Sequence, residues 1–482
     1  MIKNIYIRTA TNVVTSVIGL IPLILIIKTF GTEAWGRVTY YYSLAGIFSI
    51  LTDLGFSTAY NKFLASEDNP RNITTFLFFK VLLIAGYAVT FVSVYFLKFR
   101  DGQTDTRLLW IVFVVLMLEL MAQFFTATLV GKRDFAYMSI SEIVASIVLF
   151  AYTLFICFVR PNIYVLASTK MVLPLVTIIW GIAYFQKKKI AWFSLPARAE
   201  IMKYVSFAMP IAFSTISGNF ISYADKLVLG KLMGVNEVGL YQVAQRCYAA
   251  IDRLIKPVTN TMFTEIVHRI ANVPDFFHKR FQDLVQILSF FSGIFAIVLI
   301  FGSTFVVAAV FGAENIRSAF ILKFFSLSVV LRLFWRPYTN VIFAIEKHRF
   351  VTMVEPLGVL MMIGCYYLLI PAKISGTSVG AAALPISEFI MCFIPTGILK
   401  LFVLKRHFGT LGITKLLTGV WIPLAAIVFV GYFFNYSIFL LPIALLLFVG
   451  AEFYMGILTK DRFDDLMLPI RKAFPAYDRY IP

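Results

Sequence analysis

Apolar stretches of about 20 residues recur from one end of this chain to the other, separated by short polar segments. A helix of about 20 apolar residues crosses the hydrocarbon core of a bilayer. The chain of 482 residues holds about fourteen such stretches, which predicts an all-α polytopic membrane protein. The predicted spans are 9–29, 38–60, 75–97, 108–130, 137–159, 162–185, 204–229, 237–262, 284–311, 319–344, 351–371, 377–399, 414–434 and 437–457.

The composition points the same way. Hydrophobic residues make up 60% of the chain and charged residues 14%, against about 45–50% and about 25% in soluble domains. A soluble enzyme, a secreted disulfide domain and a disordered segment are therefore poor fits. The cysteines and histidines show neither paired nor metal-ligand spacing, so we expect no disulfide framework, no metal site and no cofactor.

The net charge of +18 follows the predicted topology. With the N-terminus inside, roughly 25 of the 43 basic residues lie in inner segments and roughly 9 in outer loops. This bias predicts that both termini face the cytoplasm, and it argues against nucleic acid as a partner. The first apolar stretch follows Lys3 and Arg8 but no small-residue cleavage site comes after it, so we predict a retained span.

The chain also carries an internal repeat. Segments 30–38 and 233–241 each contain two glycines five positions apart and precede a Tyr-containing span. A second similarity relates segment 132–135 to segment 347–350. In each of the two segments a basic residue precedes Phe by three positions. Two matches in the same order favour a parallel repeat over a chance match of common turns, so spans one to six would correspond to spans seven to twelve.

The repeat divides the chain into three predicted parts. They are an N-lobe of spans one to six, a C-lobe of spans seven to twelve, and an appended helix pair with a cytoplasmic tail. Their predicted bounds are 1–190, 191–407 and 408–482.

The stretch Phe30–Ala65 resembles the N-terminal signature of bacterial polysaccharide transporters, in which a two-glycine turn leads into a span that ends near Asp-Leu-Gly-Phe. Span count and size are also similar, and the O-antigen or capsule repeat-unit flippases fit best. The resemblance implies two six-helix lobes around a central cavity that opens alternately to each side. It implies that a polyprenyl-pyrophosphate-linked oligosaccharide is moved from the cytoplasmic to the outer leaflet of the bacterial inner membrane, without catalysis. Membrane lipid, a polysaccharide polymerase and chain-length machinery are the further partners expected.

Such a cargo requires cations at membrane depth, where a basic residue costs at least about 2.5–3.5 kcal/mol and so needs a reason. Helical spacing places Arg246, Arg253 and Lys256 on one face of span eight, and Arg332 and Arg336 on one face of span ten. These five residues are the predicted substrate-binding site. The segment from Tyr241 to Arg246 also resembles, with one extra residue, a cavity-arginine segment of the precursor-lipid flippases.

The other basic residues within spans lie nearer span ends. We interpret Lys80, Lys170, Lys226 and Lys323 as side chains that extend to the lipid headgroups.

Acidic residues also fall within spans. Glu119 and Glu388 are near mid-span and are candidates for ion coupling, whereas Asp225 and Asp252 are predicted to neutralise nearby cations. Asp53, in the Asp-Leu-Gly-Phe segment, is predicted to serve gating or packing.

Two other functions compete with the flippase. A cation-coupled multidrug exporter on the same fold would favour an acidic cavity. A membrane enzyme of glycan assembly, such as a polymerase, would need a large outer loop, and the predicted outer loops are no longer than about a dozen residues.

Overall fold

The structure, a computed structural model, is almost entirely helical over the residues that it describes. Those residues are 2–66, 69–98, 104–132, 134–159, 161–190, 196–251, 281–345, 348–374, 377–393, 395–408, 421–434 and 436–454. The helices are α1 (Ile2–Gly46), α2 (Phe56–Ser66), α3 (Pro70–Lys98), α4 (Thr106–Gly131), α5 (Phe135–Val159), α6 (Ile163–Lys188), α7 (Arg198–Met233), α8 (235–251), α9 (Gln282–Phe311), α10 (Arg317–Ala344), α11 (His348–Leu369), α12 (Ala383–Phe393), α13 (Pro395–Phe408), α14 (Ile422–Phe433) and α15 (Leu441–Tyr454). Between α11 and α12, strands β1 (Lys373–Ile374) and β2 (Thr377–Ser378) pair antiparallel, with Lys373 opposite Ser378.

Within these ranges, seven helices are long and apolar enough to cross a membrane, and four shorter helical segments are also apolar. Helix α7 covers predicted span seven, and α8 covers the described part of predicted span eight, residues 237–251. The predicted fold class, an all-α multi-pass membrane protein, is therefore confirmed.

The region of predicted spans one and two differs from the prediction in detail. Helix α1 runs through span one and ends at Gly46, within span two. It is kinked at Gly31, whose φ of 78° is favourable only for glycine. Span two was expected to be continuous over 38–60, but it is interrupted by a 3-10 turn, Ile47–Thr52. Asp53 then accepts hydrogen bonds from the backbone and hydroxyl of Ser57, which starts α2 as a new helix. The break follows from this capping interaction.

The chain divides into two compact units. The first comprises Met1–Pro257, Val307–Ile321 and His348–Met391, and the second Val258–Val306, Leu322–Lys347 and Cys392–Pro482. The three predicted lobe boundaries stay predictions.

Stacked aromatic rings hold the first unit together. Phe91 of α3 stacks on Phe113 of α4 with ring centroids 4.3 Å apart. Tyr60 of α2 stacks on Phe76 of α3 at 4.2 Å, and both rings are fully buried. Offset stacking of this kind contributes about 0.5–1.5 kcal/mol per pair beyond burial. These contacts fix α2, α3 and α4 around a polar cavity.

In the second unit, α15 lies directly against α9. Phe448 stacks on Phe290 at 6.0 Å, and a Cβ at Gly293 would lie 2.1 Å from the Phe448 ring. Only glycine permits this approach.

Candidate functional site

The two glycine-containing turns that suggested a repeat have the same backbone conformation. Gly31 has φ 78° and ψ 167°, and Gly234 has φ 90° and ψ 169°. Both values lie in a region that other residues rarely adopt. Equivalent positions in the two segments thus have the same unusual backbone conformation, and this supports the internal repeat.

The two turns also pack against each other, and we call segments 30–38 and 233–241 the paired turns. A Cβ at Gly36 would lie 2.0 Å from the carbonyl oxygen of Val235, and one at Gly239 would lie 2.0 Å from that of Thr32. The Thr32 hydroxyl donates a hydrogen bond of 3.3 Å to Asn236. Backbone contacts this close require glycine on both sides.

An ion pair joins each of the paired turns to a neighbouring helix. Arg37 lies 3.1 Å from Asp105, which caps the start of α4. Glu237 lies 2.7 Å from Arg317, the first residue of α10. The two pairs join corresponding elements of the repeat with the charges exchanged, although Arg37 and Glu237 are not at equivalent positions. Because both arginines are exposed, each pair contributes at most about 1 kcal/mol.

Below the paired turns, a cation lies over aromatic rings. Lys170 of α6 places its Nζ 4.0 Å from the centroid of the Tyr42 ring and 5.4 Å from that of Trp35, both on α1. The Tyr42 hydroxyl donates a hydrogen bond to Glu119 of α4. A lysine over an aromatic face is stabilised electrostatically, so three helices hold this charge in place.

Two further cations belong to the same cluster. The charge of Lys170 interacts electrostatically with Arg246 and Lys226 as well as with Glu119. Lys226 is paired with Asp225 at 2.9 Å, and the Tyr241 hydroxyl donates to the same carboxylate at 3.0 Å.

We call these side chains the cation cluster. Its members are Lys170, Lys226, Arg246, Glu119 and Asp225, so it holds three positive and two negative groups. A polyanion that enters it meets a net positive field.

The structure describes the five predicted substrate-binding residues to different extents. Arg246 lies in the cation cluster and its side chain is exposed. Arg253 and Lys256 lie outside the described residues. Arg332 and Arg336 are on α10, but their side chains lie outside the described part. A joint site of all five residues therefore stays a prediction.

The structure describes Glu119, Glu388, Asp53 and Asp225, whereas Asp252 lies outside the described residues. Glu119 is in the cation cluster, and Glu388 is half-buried and interacts electrostatically with Tyr241. Asp53 caps α2. The expected neutralising role of Asp225 is confirmed by its ion pair with Lys226.

The interpretation of Lys80 as a headgroup-seeking side chain was wrong. Lys80 is only 1% exposed, and its Nζ donates to Gln123 Oε1 at 2.8 Å and to the carbonyl of Thr52 at 3.5 Å. Thr52 is buried and Gln123 lines a polar cavity among the helices, so the stem of Lys80 runs inward from α3. Lys170 likewise lies against α1.

A polar cavity of about 390 Å³ adjoins the cation cluster, with Glu119 and Tyr223 lining the boundary. Its wall includes Asn61, Gln123 and Asn219, which the sequence analysis did not single out. The available signal was the spacing of Gln123, one helical turn after Glu119 on the same face of α4.

A second residue was also missed. Glu452 of α15, in the second unit, is fully buried, and no described residue forms a hydrogen bond with either carboxyl oxygen. The only local sequence signal for Glu452 is that a charged residue stands within an apolar run.

A multi-pass helical protein that holds a charged cluster and a polar cavity among its helices has the architecture of a membrane transporter. The chain belongs to the polysaccharide biosynthesis protein family, whose model matches residues 1–263. This confirms the resemblance seen in the sequence. No curated protein sequence matches the chain.

Solved structures show the same fold. The lipid II flippase MurJ in an inward closed conformation is 14% identical, with a TM-score of 0.66 over 95% of this chain and 97% of that one. An inward-facing multidrug resistance MATE family transporter of the MOP superfamily is 15% identical, with a TM-score of 0.65 over 82% and 96%. A MOP superfamily transporter from Pyrococcus furiosus, described by a reversed polarity of its binding pocket, is 14% identical, with a TM-score of 0.57 over 84% and 96%.

Proposed function

We propose that this protein is a flippase for a polyprenyl-pyrophosphate-linked oligosaccharide, which it moves from the cytoplasmic to the outer leaflet of the bacterial inner membrane by alternating access. The product would serve O-antigen or other surface polysaccharide synthesis, in which a polymerase and chain-length machinery act next. The family assignment supports a role in polysaccharide synthesis. The transport step breaks no covalent bond.

The cation cluster is the observation that carries this proposal. A pyrophosphate concentrates negative charge, and lysine and arginine are the side chains that bind phosphate through charge-assisted hydrogen bonds. Lys170 and Arg246 supply such donors within the span region. Both lie among helices, where the cost of a charge at membrane depth makes a functional role the default interpretation.

The paired turns support alternating access. By the predicted orientation they lie on the outer side of the membrane. Their backbone contact closes that side in the described state, and the two turns must separate to release cargo outward. Cargo would then enter from the cytoplasmic side.

Glu119 is well placed to couple an ion to transport. It accepts a hydrogen bond from Tyr42 and interacts with Lys170, so its charge state acts directly on the cation cluster. Glu388 is the second candidate, through its interaction with Tyr241. We propose that a cation bound at Glu119 weakens the attraction between Glu119 and Lys170. The ammonium group of Lys170 is then free to bind phosphate.

The alternative is a cation-coupled multidrug exporter on the same fold. The resemblance to a multidrug resistance transporter extends over most of the chain. A cationic drug would be repelled by the net positive cluster but not by the adjoining cavity, which Asp53 and Glu119 line. The family assignment therefore decides in favour of the pyrophosphate cargo.

Ligand-dependent thermal stability distinguishes the two functions. A ligand that binds the folded protein stabilises it by about 2.7 kcal/mol at a hundredfold excess over its Kd. We expect a short-chain polyprenyl pyrophosphate to raise the melting temperature of the purified protein in detergent, and the monophosphate to raise it less. A lipophilic cation should have no effect. A shift with the lipophilic cation and none with the pyrophosphate would favour drug export.

A further inference from the structure

The polar cavity beside the cation cluster has a composition of its own. Its fourteen lining residues include two carboxylates, three amides and five hydroxyls, with four apolar side chains. All of them lie in the described part of the chain, and none carries a positive charge. The cavity volume of about 390 Å³ lies in the range of small-ligand sites, about 300–1,000 Å³. It is thus large enough for part of a glycan and lacks cations.

The cavity wall contains a polar atom that is not engaged in a hydrogen bond with any described residue. Asn61 Oδ1 is buried, and among the described residues it has no hydrogen-bond partner. The Nζ of Lys80 donates a hydrogen bond to Gln123 Oε1, and this bond fixes the orientation of the Gln123 amide. A buried polar atom without a partner costs free energy, so such an atom in a cavity wall points to a ligand. Asn61 is a lining residue of the cavity, and sugar hydroxyls are donors that can bind an amide oxygen.

Tyr223 adds an aromatic surface. A Cβ at Gly46 would lie 2.4 Å from the Tyr223 ring, so glycine at that position lets the ring approach α1 closely. The Tyr223 ring also lies 6.3 Å from that of Tyr42, which contacts Lys170. An aromatic face beside hydroxyls and amides suits a sugar ring, which has both apolar and hydroxyl faces.

Charge is segregated between the cavity and the cluster. Lys170, Lys226 and Arg246 belong to the cluster, whereas Asp53 lies in the cavity wall and Glu119 at the boundary. An anion inside the cavity would face Asp53, and Glu119 whenever it is ionised. Lys80, which bonds Thr52 and Gln123 and interacts electrostatically with Asp53, is not a lining residue and offsets at most one of the two negative charges. Like charges at short distance in a partly desolvated site repel strongly.

From this arrangement we propose that the cavity is a glycan subsite that selects repeat units whose sugars carry no carboxylate, sulfate or phosphate group. The pyrophosphate binds the cation cluster, and neutral or amino-bearing sugars occupy the cavity. The inference rests on the proposed flippase function and adds the charge class of its cargo.

The test uses two polyprenyl-pyrophosphate oligosaccharides of equal length, one with a hexose and one with the corresponding hexuronic acid at a single position. Each is incorporated into liposomes that contain the full-length protein, and flipping is scored with a membrane-impermeant glycan-modifying reagent. We expect the neutral cargo to flip at least about tenfold faster, since one charge repulsion of this kind changes binding by that order.

Three variants examine the origin of the selectivity. Asp53→Asn keeps the oxygen that caps α2 but removes its charge, so the ratio of the two rates should fall toward one. Asn61→Asp adds a carboxylate to the wall and should raise the ratio. Glu142→Gln, which removes a carboxylate of α5 outside the cavity lining, should leave the ratio unchanged.

The outcomes separate the two claims. Equal flipping of both cargoes, with no effect of Asp53→Asn, overturns the subsite and leaves the flippase function in place. Faster flipping of the acidic cargo also overturns it. If neither cargo is flipped, the proposed function fails, and the inference fails with it.

Discussion

Replacement of Lys170 or Arg246 by alanine is expected to slow flipping of the lipid-linked oligosaccharide by about ten- to a hundredfold. A hydrogen bond to a charged group contributes about 1.5–3 kcal/mol, and each 1.4 kcal/mol corresponds to about tenfold in binding. Either substitution also removes the net positive charge of the cation cluster. The measurements are the initial flipping rate in proteoliposomes and the affinity for polyprenyl pyrophosphate.

Matched controls are available for both substitutions. Lys28 on α1 and Arg107 on α4 are exposed basic residues outside the cation cluster, and their replacement by alanine should leave both measurements unchanged. Arg246→Lys keeps the charge but loses the planar donor geometry. Its flipping rate and its affinity should therefore lie between those of the wild type and of Arg246→Ala. Wild-type rates in Lys170→Ala and Arg246→Ala would place the phosphate site elsewhere.

The second large effect is expected at the paired turns. Gly36→Ala or Gly239→Ala introduces a Cβ at 2.0 Å from a backbone oxygen of the opposite turn, so the two turns cannot keep their contact. If closure of this side is part of the transport cycle, flipping should fall to near the protein-free background. The turns should then be held apart, because only backbone movement relieves the clash.

A disulfide between the turns reports their contact directly. Thr32→Cys with Asn236→Cys places two thiols where a 3.3 Å hydrogen bond now lies, and cross-linking should be efficient. Addition of Gly36→Ala should abolish it. The control is Gly19→Ala, also on α1, where a Cβ meets nothing within 4 Å. Full transport together with an intact cross-link in Gly36→Ala would show that the turns are not a gate.

The sequence predicted the fold class and the repeat because both depend on local pattern. Apolar length gives the spans, and two glycines at the same spacing mark both turns. That the turns pack on each other follows from tertiary contact between Gly36 and Gly239 and has no local signal. The break within predicted span two was missed because Asp53 and Ser57 form a helix cap inside an apolar context.

The site was predicted less completely than the fold. Arg246 was singled out because its position at mid-span leaves no simple alternative, and its role in binding stays a prediction. Lys170 and Lys80 were interpreted from their distance to a span end, and depth along one helix does not say what the neighbouring helices offer. Tyr42 covers Lys170, and Gln123 accepts from Lys80. Such contacts join residues far apart in sequence, so periodicity within one span cannot reveal them.

Flipping by the purified wild-type protein tests the central claim most directly. Liposomes would carry a labelled polyprenyl-pyrophosphate oligosaccharide with uncharged sugars, and a membrane-impermeant reagent would modify the glycan that reaches the outer surface. The measurement is made without a gradient and with an imposed proton or sodium gradient. We predict that label from the inner leaflet becomes accessible faster than in protein-free liposomes, and that Arg246→Ala loses this difference. Equal rates with and without protein under every gradient would contradict the proposed function.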